Sequence, residues 1–396
     1  MRSAIDELPG SKIREVANAG IGRADVLPFW FGESDEATPA FVREAAIESL
    51  RNGETFYAHN LGLAELRAAI AAYASALHRP LGPERIAVTS SGVSALMIAM
   101  QALAGAGDEV VAVVPVWPNL TAQPAILGAE VKRVALRPRG GVWRLDMDEL
   151  QRAVTARTRV LIVNAPNNPT GWTLTRAEQQ AILAHCRRTG TWIVADEVYE
   201  RVYFEPGSRA APSFGCAEAG RLAAPSFLDL AEEDDRLVVA HSFSKSFLMT
   251  GWRLGWLVVP PALLDAVGKL IEFNTSCAPV FVQRAGLAAL HGANDFVPGL
   301  VERLRLCRDT LLPLLAAVPR VQVATPLGGM YAFFRVAGED DSLAFAKRLV
   351  ADVGLGLAPG AAFGAEGEGW LRWCFASRDV ARLAQGVQRL ESALRL

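Results

Sequence analysis

Ser242-Phe-Ser-Lys245 follows an apolar run, and Arg253 comes eight residues later in GWRLGW. A lysine near the end of a buried strand loses hydration, so its pKa falls and its free amine can attack a carbonyl. An arginine and a serine hydroxyl beside it, here Arg253 and Ser242, can converge on a phosphate. Ser91-Gly92-Val93 follows another apolar run and opens a helical pattern, where backbone N–H groups form an anion site. Asp196 ends TWIVAD, Tyr199 stands three residues on, Asn168 sits in NAPNNPTG, and Trp117 follows a further apolar run. A carboxylate at a buried strand end can hold a protonated ring nitrogen, which makes that ring a sink for a substrate carbanion.

Singly, each feature has an ordinary structural reading. Lys245 could be a surface loop residue, Ser91 a helix N-cap, NNPTG a simple turn and Trp117 a core residue. Together they describe one site for pyridoxal phosphate. Lys245 supplies the amine, Asp196 faces the ring nitrogen, Asn168 and Tyr199 reach the phenolic oxygen, and Trp117 stacks on the ring. Ser91, Gly92, Ser242 and Arg253 form the phosphate cup. No GxGxxG follows a strand and GxxxxGK[ST] is absent, so neither a dinucleotide loop nor a Walker loop is read here.

The elements that must position these groups are legible as short apolar runs. They are Ile86–Thr89, Glu109–Val114, Val131–Leu136, Val160–Val163, Trp192–Ala195, Leu237–Ala240 and Leu254–Val259. Continuous apolar character predicts strands buried on both faces. Helical patterns lie around 93–104, 146–155, 175–189 and 261–273. The alternation predicts an α/β fold with a mostly parallel, seven-stranded sheet, and such sheets bind ligands beyond the carboxyl ends of their strands. The candidate residues fall at those ends. From about residue 284 a long helical stretch leads to strands in PLGGMYAFFRV and WLRWCFAS, which predicts a smaller α+β domain. The expected division is 1–45 (N-terminal arm and part of the small domain), 46–283 (large domain) and 284–396 (small domain). The Ala-Pro-Gly-rich segment 205–226 lacks periodicity and reads as a surface insertion.

Composition narrows the class. Net charge is −2 over 396 residues, which offers no polyanion-binding face and argues against nucleic acid as a partner. The five cysteines form no CxxC pair and no zinc spacing, which predicts a reducing, cytoplasmic setting and no metal site. MRSAIDELPGSKIREVANAG lacks an apolar signal core, so no export is expected. The uncharged stretches Ile86–Gly107 and Val110–Ala129 contain turn glycines and prolines and read as buried core rather than membrane spans.

GESDEATP, YAHNLGLAELR, PVWPN, NAPNNPTG, DEVY, SFSKSFLMTGWRLGW and WLRWCFA occur in one order across residues 28–390. In these motifs the chain resembles the class I/II pyridoxal-phosphate-dependent aminotransferases, with the aspartate aminotransferase fold (fold type I). The resemblance implies an aminotransferase that exchanges an amino group between an L-amino acid and a 2-oxo acid by ping-pong chemistry. A C–S lyase, decarboxylase or synthase on the same scaffold would show the same cofactor residues.

By that resemblance, Lys245 is the internal-aldimine lysine and the acid/base of the proton shift. Asp196 pairs with the pyridine nitrogen, and Asn168 and Tyr199 contact the ring oxygen. Trp117 and Val198 cover the two ring faces, and Ser91, Gly92, Val93, Ser242 and Arg253 hold the phosphate. Tyr57 resembles the tyrosine that reaches the phosphate of the neighbouring subunit, which implies a homodimer with shared sites. Arg372 resembles the clamp for the substrate α-carboxylate, and Gly32 the glycine whose backbone approaches the substrate. Val93 stands where many relatives carry a hydroxyl, so one phosphate hydrogen bond is missing. No counterpart of a second, distal-carboxylate arginine is evident, and Trp30 and Phe31 put bulky apolar groups before Gly32. These departures point to a pocket not built for aspartate alone. His59 and Tyr331 stand near the substrate region and read as packing residues.

Overall fold

The computed structural model describes residues 3–6, 8–204 and 223–395. The expected insertion at 205–226 falls mostly on 205–222, outside the described residues.

The large sheet has seven strands: β1 Ile86–Thr89, β2 Glu109–Val114, β3 Glu130–Ala135, β4 Thr158–Asn164, β5 Trp192–Asp196, β6 Leu237–Ser242 and β7 Gly255–Val258. Their spatial order is β1-β7-β6-β5-β4-β2-β3. Neighbours pair in parallel except at β7, which runs antiparallel to both β1 and β6. β1, β2, β6 and β7 are buried along their whole length. That matches their unbroken apolar sequence and a sheet covered on both faces.

Eight helices matter for the site and its supports. They are α1 Lys12–Asn18, α2 Ala64–Leu77, α3 Gly92–Leu103, α4 Arg176–Thr189, α5 Pro261–Thr275, α6 Ala293–Ala317, α7 Ser342–Val353 and α8 Ala381–Ala393. α4 shows why such a stretch starts and stops where it does. Thr175 and Glu178 form a reciprocal capping box at its start, and Gly190 closes it in the left-handed region at φ 76°. Ile182, Leu183 and Cys186 make its buried stripe. The uncharged stretch at 86–107 folds as β1 and α3, and the one at 110–129 as most of β2 followed by a helix at Asn119–Ile126. Among the described residues no helix is long and apolar enough to cross a membrane.

A second sheet holds β8 Val321–Val323, β9 Tyr331–Val336, β10 Ala358–Pro359 and β11 Trp370–Cys374, in the order β8-β9-β11-β10 and antiparallel throughout. The N-terminal segment joins this part. Leu27–Pro28 pairs in parallel with Leu355–Gly356, and α1 packs on α7 and β10. One helix, Val280–His291, runs across the boundary expected at residue 283.

Candidate active site

The strand register sets the site. Asn164 at the end of β4 lies opposite Asp196 at the end of β5, and Asp196 lies opposite Ala240 on β6. Three parallel strands therefore deliver their last residues to one edge, where ligands bind in such sheets. Strand β7 runs the other way, so its first residue arrives at the same edge. Gly255 lies opposite Ser242 on one side and Thr89 on the other. A Cβ on Gly255 would sit 2.6 Å from the backbone N of Gly92, so only glycine lets β7 pass the start of α3 this closely. Arg253, two residues earlier, adopts the left-handed conformation at φ 55°.

At this edge lies a cavity of about 730 Å³. Its wall gathers Lys245, Asp196, Tyr199, Asn168, Trp117 and Val198 with Gly92, Val93, Ser242 and Arg253. Gly32, Phe31 and Arg372 complete the set drawn from the sequence. Two sequence candidates are not in the wall. Ser91 turns its hydroxyl to the N–H of Ser94 at 3.0 Å, capping α3. Tyr57 points to solvent, 89% exposed in the single chain, beside Phe56 at 83%. His59 is also exposed, and its Nδ1 accepts the Leu61 N–H.

Lys245 Nζ donates to the Gly32 carbonyl. Burial lowers its pKa from 10.5 to about 8. Asp196 is buried, and burial lifts its carboxyl from 3.8 to about 7, against the single hydrogen bond it accepts from Val198 N–H at 3.3 Å. Among the described residues neither makes an ion pair. Asn164 links two of the candidates: its Nδ2 donates to the Asp196 carbonyl at 3.0 Å and its Oδ1 accepts the Asn168 N–H at 2.8 Å.

Arg372, on β11, is 2% exposed and touches no carboxylate among the described residues. Its Nη1 donates to Asn168 Oδ1 at 3.0 Å and its Nη2 to the Trp30 carbonyl. Its guanidinium carbon lies 4.5 Å from the Tyr331 ring centre and 4.9 Å from that of Phe363. Its Nε is buried without a hydrogen-bond partner. Tyr331 Oη and Tyr199 Oη are 2.6 Å apart, and burial raises both phenols well above their ordinary range. A Cβ on Gly32 would fall 2.2 Å from Tyr331 Oη, so the absence of a side chain there keeps the cavity open.

Behind the Asp196–Glu200 turn lies a buried ionic group. His78, at the end of α2, places Nδ1 2.9 Å from Asp229 Oδ1 and Nε2 3.0 Å from Glu200 Oε2. Burial alone would lower its pKa, but those two carboxylates outweigh it and hold it near 10, so both ring nitrogens donate. Glu197 accepts the Ser226 hydroxyl at 2.5 Å and the Phe227 N–H at 3.1 Å, and burial lifts its carboxyl to about 8. His241 Nδ1 lies 3.7 Å from Glu200 Oε1 and its ring stacks on Trp256 at 4.9 Å, and His241 also lines the cavity.

Asn164, Tyr331, His241 and Arg14 also line the cavity, and none was selected for the site from the sequence. Asn164 carried a signal, being the first polar residue after the apolar run of β4. Tyr331, read from the sequence as a packing residue near the substrate region, is in the wall, while Arg14 lies outside the strand–helix alternation and carried no signal.

Known proteins match this arrangement. A family model described as aminotransferase class I and II matches residues 24–390. A probable aspartate/prephenate aminotransferase of Aquifex aeolicus is 32% identical, covering 97% of this chain and 94% of that protein. An arginine–pyruvate transaminase of Pseudomonas aeruginosa is 32% identical, over 88% of this chain and 85% of that protein. The structure of the aspartate aminotransferase from Thermus thermophilus with maleate superposes with a TM-score of 0.88 at 28% identity, covering 99% of each chain. A match over nearly the full length, in sequence and in fold, places this chain in the class I and II aminotransferase family.

Proposed function

We propose that the cavity holds pyridoxal 5'-phosphate and that this aminotransferase moves an amino group between an L-amino acid and a 2-oxo acid by a ping-pong mechanism. When bound, the cofactor supplies an electron sink for negative charge at the substrate α-carbon. The observation that carries the reading is a buried amine and a buried carboxylate, Lys245 and Asp196, in one cavity without an ion pair between them.

The residues fit that group. Asp196 is a buried acid short of a cation, and a protonated ring nitrogen supplies one. Arg372 is a buried cation short of an anion, and a substrate α-carboxylate supplies one in bidentate form. Lys245, with its pKa near 8, gives up its proton close to neutral pH and returns it, which suits it to move the proton at the α-carbon. Gly92, Ser242 and Arg253 meet where β6, β7 and α3 converge, as a phosphate requires. Ser91 and Val93 border that cup. Trp117 and Val198 cover the ring, and Asn168 and Tyr199 face its oxygen. Gly32 and Phe31 border the substrate.

The exposed Tyr57 fits a homodimer in which it serves the partner's cavity. A division at residues 45 and 283 and a cytoplasmic setting belong to the same proposal. The relatives include an aspartate/prephenate aminotransferase and an arginine–pyruvate transaminase, which fits a donor range wider than aspartate.

The test is a spectroscopic screen of the cofactor-loaded protein against single amino acids without an acceptor. Loss of the aldehyde-form absorbance, reversed by a 2-oxo acid, is expected. Release of pyruvate and ammonia instead would identify a lyase.

A further inference from the structure

Tyr331 reads from the sequence as packing, yet it touches three parts of the proposed site. It stands at the start of β9, opposite Cys374 on β11, buried in the cavity wall. The Arg372 guanidinium carbon lies 4.5 Å from its ring centre. Its Oη meets Tyr199 Oη at 2.6 Å and fills the place a side chain on Gly32 would take. Gly32 in turn accepts the Lys245 hydrogen bond at its carbonyl.

Burial keeps both phenols protonated at neutral pH. Two phenols bring two protons to one oxygen–oxygen contact, and the contact uses only one. A cation beside a phenol makes it the stronger acid, and Arg372 stands against Tyr331. The stronger acid donates, so Tyr331 gives the bond and Tyr199 receives it. Among the described residues Tyr331 Oη has no second hydrogen-bond partner to reverse that order. The Tyr199 proton is left free, on a side chain that lines the cavity with Lys245 Nζ 5.8 Å from its ring centre.

We propose that Tyr331 is a positioning residue: its hydroxyl donates to Tyr199 and so directs the Tyr199 proton to the cofactor's ring oxygen. The inference rests on the cofactor reading of the cavity. Donation by Tyr331 also polarises the Tyr199 hydroxyl and makes it a stronger donor. A hydrogen bond to the ring oxygen favours its negatively charged form. Proton release by the lysine-bound cofactor, visible as an absorbance change, therefore falls to lower pH.

The experiment is an absorbance titration against pH of the cofactor-loaded parent, Tyr331→Phe, Tyr199→Phe and the double variant. Phenylalanine keeps the ring against Arg372 and removes only the hydroxyl. The midpoint should rise by about 0.3–1 unit in Tyr331→Phe, the worth of one weakened hydrogen bond. It should rise further in Tyr199→Phe, and the double variant should match Tyr199→Phe, because Tyr331 acts only through Tyr199. Site-specific replacement of Tyr331 by 3-fluorotyrosine, a more acidic phenol of nearly the same shape, should move the midpoint the other way, to lower pH. An unchanged midpoint in Tyr331→Phe, shifts that add in the double variant, or no fall with fluorotyrosine would overturn the role of Tyr331. A parent whose absorbance shows no lysine-bound cofactor would overturn the cofactor reading instead.

Discussion

Tyr199 and Glu200 are consecutive, yet their side chains leave the turn after β5 on opposite sides. Tyr199 Oη meets Tyr331 Oη at 2.6 Å in the cavity wall, while Glu200 Oε2 accepts the His78 Nε2–H hydrogen bond at 3.0 Å behind it. Asp196 and Glu197 divide in the same way. Asp196 lines the cavity, and Glu197 accepts from Ser226 and Phe227. One short turn thus shows Asp196 and Tyr199 to the cavity and is fixed from behind by a charged network that reaches the cavity wall only through His241.

Lys245→Ala should slow the half-reaction with any donor by at least about 10³-fold, since the proposed site assigns this one residue as both nucleophile and acid/base. Borohydride should then no longer fix the cofactor covalently to the chain, as it should in the parent. Turnover within about tenfold of the parent, with far-ultraviolet dichroism unchanged, would remove Lys245 from the chemistry.

Asp196→Asn should separate activity from stability. In the cofactor-free chain, burial lifts the Asp196 pKa from 3.8 to about 7. The folded state then keeps a proton that the unfolded state releases, so stability falls as pH rises from about 4 to about 7. Asparagine carries no such charge. The variant should therefore resist urea better than the parent at pH 8 while losing at least about 10²-fold in amino transfer. Lower stability at pH 8, or near-normal transfer, would contradict the role of the carboxylate.

His78→Gln should cost about 3–5 kcal/mol at pH 7, because it removes the imidazolium between the buried Glu200 and the half-buried Asp229. The pH profile identifies the group. His78 is raised from 6.5 to about 10, so its contribution is complete below about 6.5 and drains away as pH rises through 10. Glu197, raised from 4.5 to about 8, also drains as pH rises, but its window closes near 8. Between pH 8 and 10 the parent should lose more stability than the variant, the raised Cys186 thiol contributing equally to both. Urea melts at those two pH values are the check, and equal slopes would exclude His78 as the titrating group.

Chains carrying Lys245→Ala and chains carrying Tyr57→Phe should complement one another when mixed and allowed to exchange subunits. A hybrid dimer would hold one cavity with both the native lysine and the native tyrosine. Activity above the sum of the two separate samples is expected. Mixing without any gain would place Tyr57 outside the partner's cavity.

The ends of β4, β5 and β6 were readable because each apolar run stops at a polar residue, and the parallel register then brings Asn164, Asp196 and Ser242 to one edge. Lys245 and Arg253 followed from the same hairpin. Other residues left no such trace. Tyr331 sits in a strand that is buried at nearly every position, so no alternation marks the side facing the cavity. His78 is a lone histidine at a helix end, and its partners Glu200 and Asp229 lie more than a hundred residues away. Arg14 belongs to a seven-residue helix placed by packing against α7 and β10, contacts that no local pattern encodes. Strand-end chemistry is local in sequence; these three depend on distant contacts.

Strand β7, the one antiparallel member of its sheet, has a consequence for how the molecule assembles. Because it reverses, the chain from Leu237 to Val258 leaves the sheet edge and returns to it, so Ser242, Lys245 and Arg253 come from one closed stretch of chain. Contacts of short sequence separation form with little loop-closure cost and early in folding. Asn168 and Arg372, 204 positions apart, meet only when the distant parts of the chain dock. Pulse-labelled hydrogen exchange during refolding should therefore protect the β6 and β7 amides before those of β11, and the reverse order would refute this sequence of events.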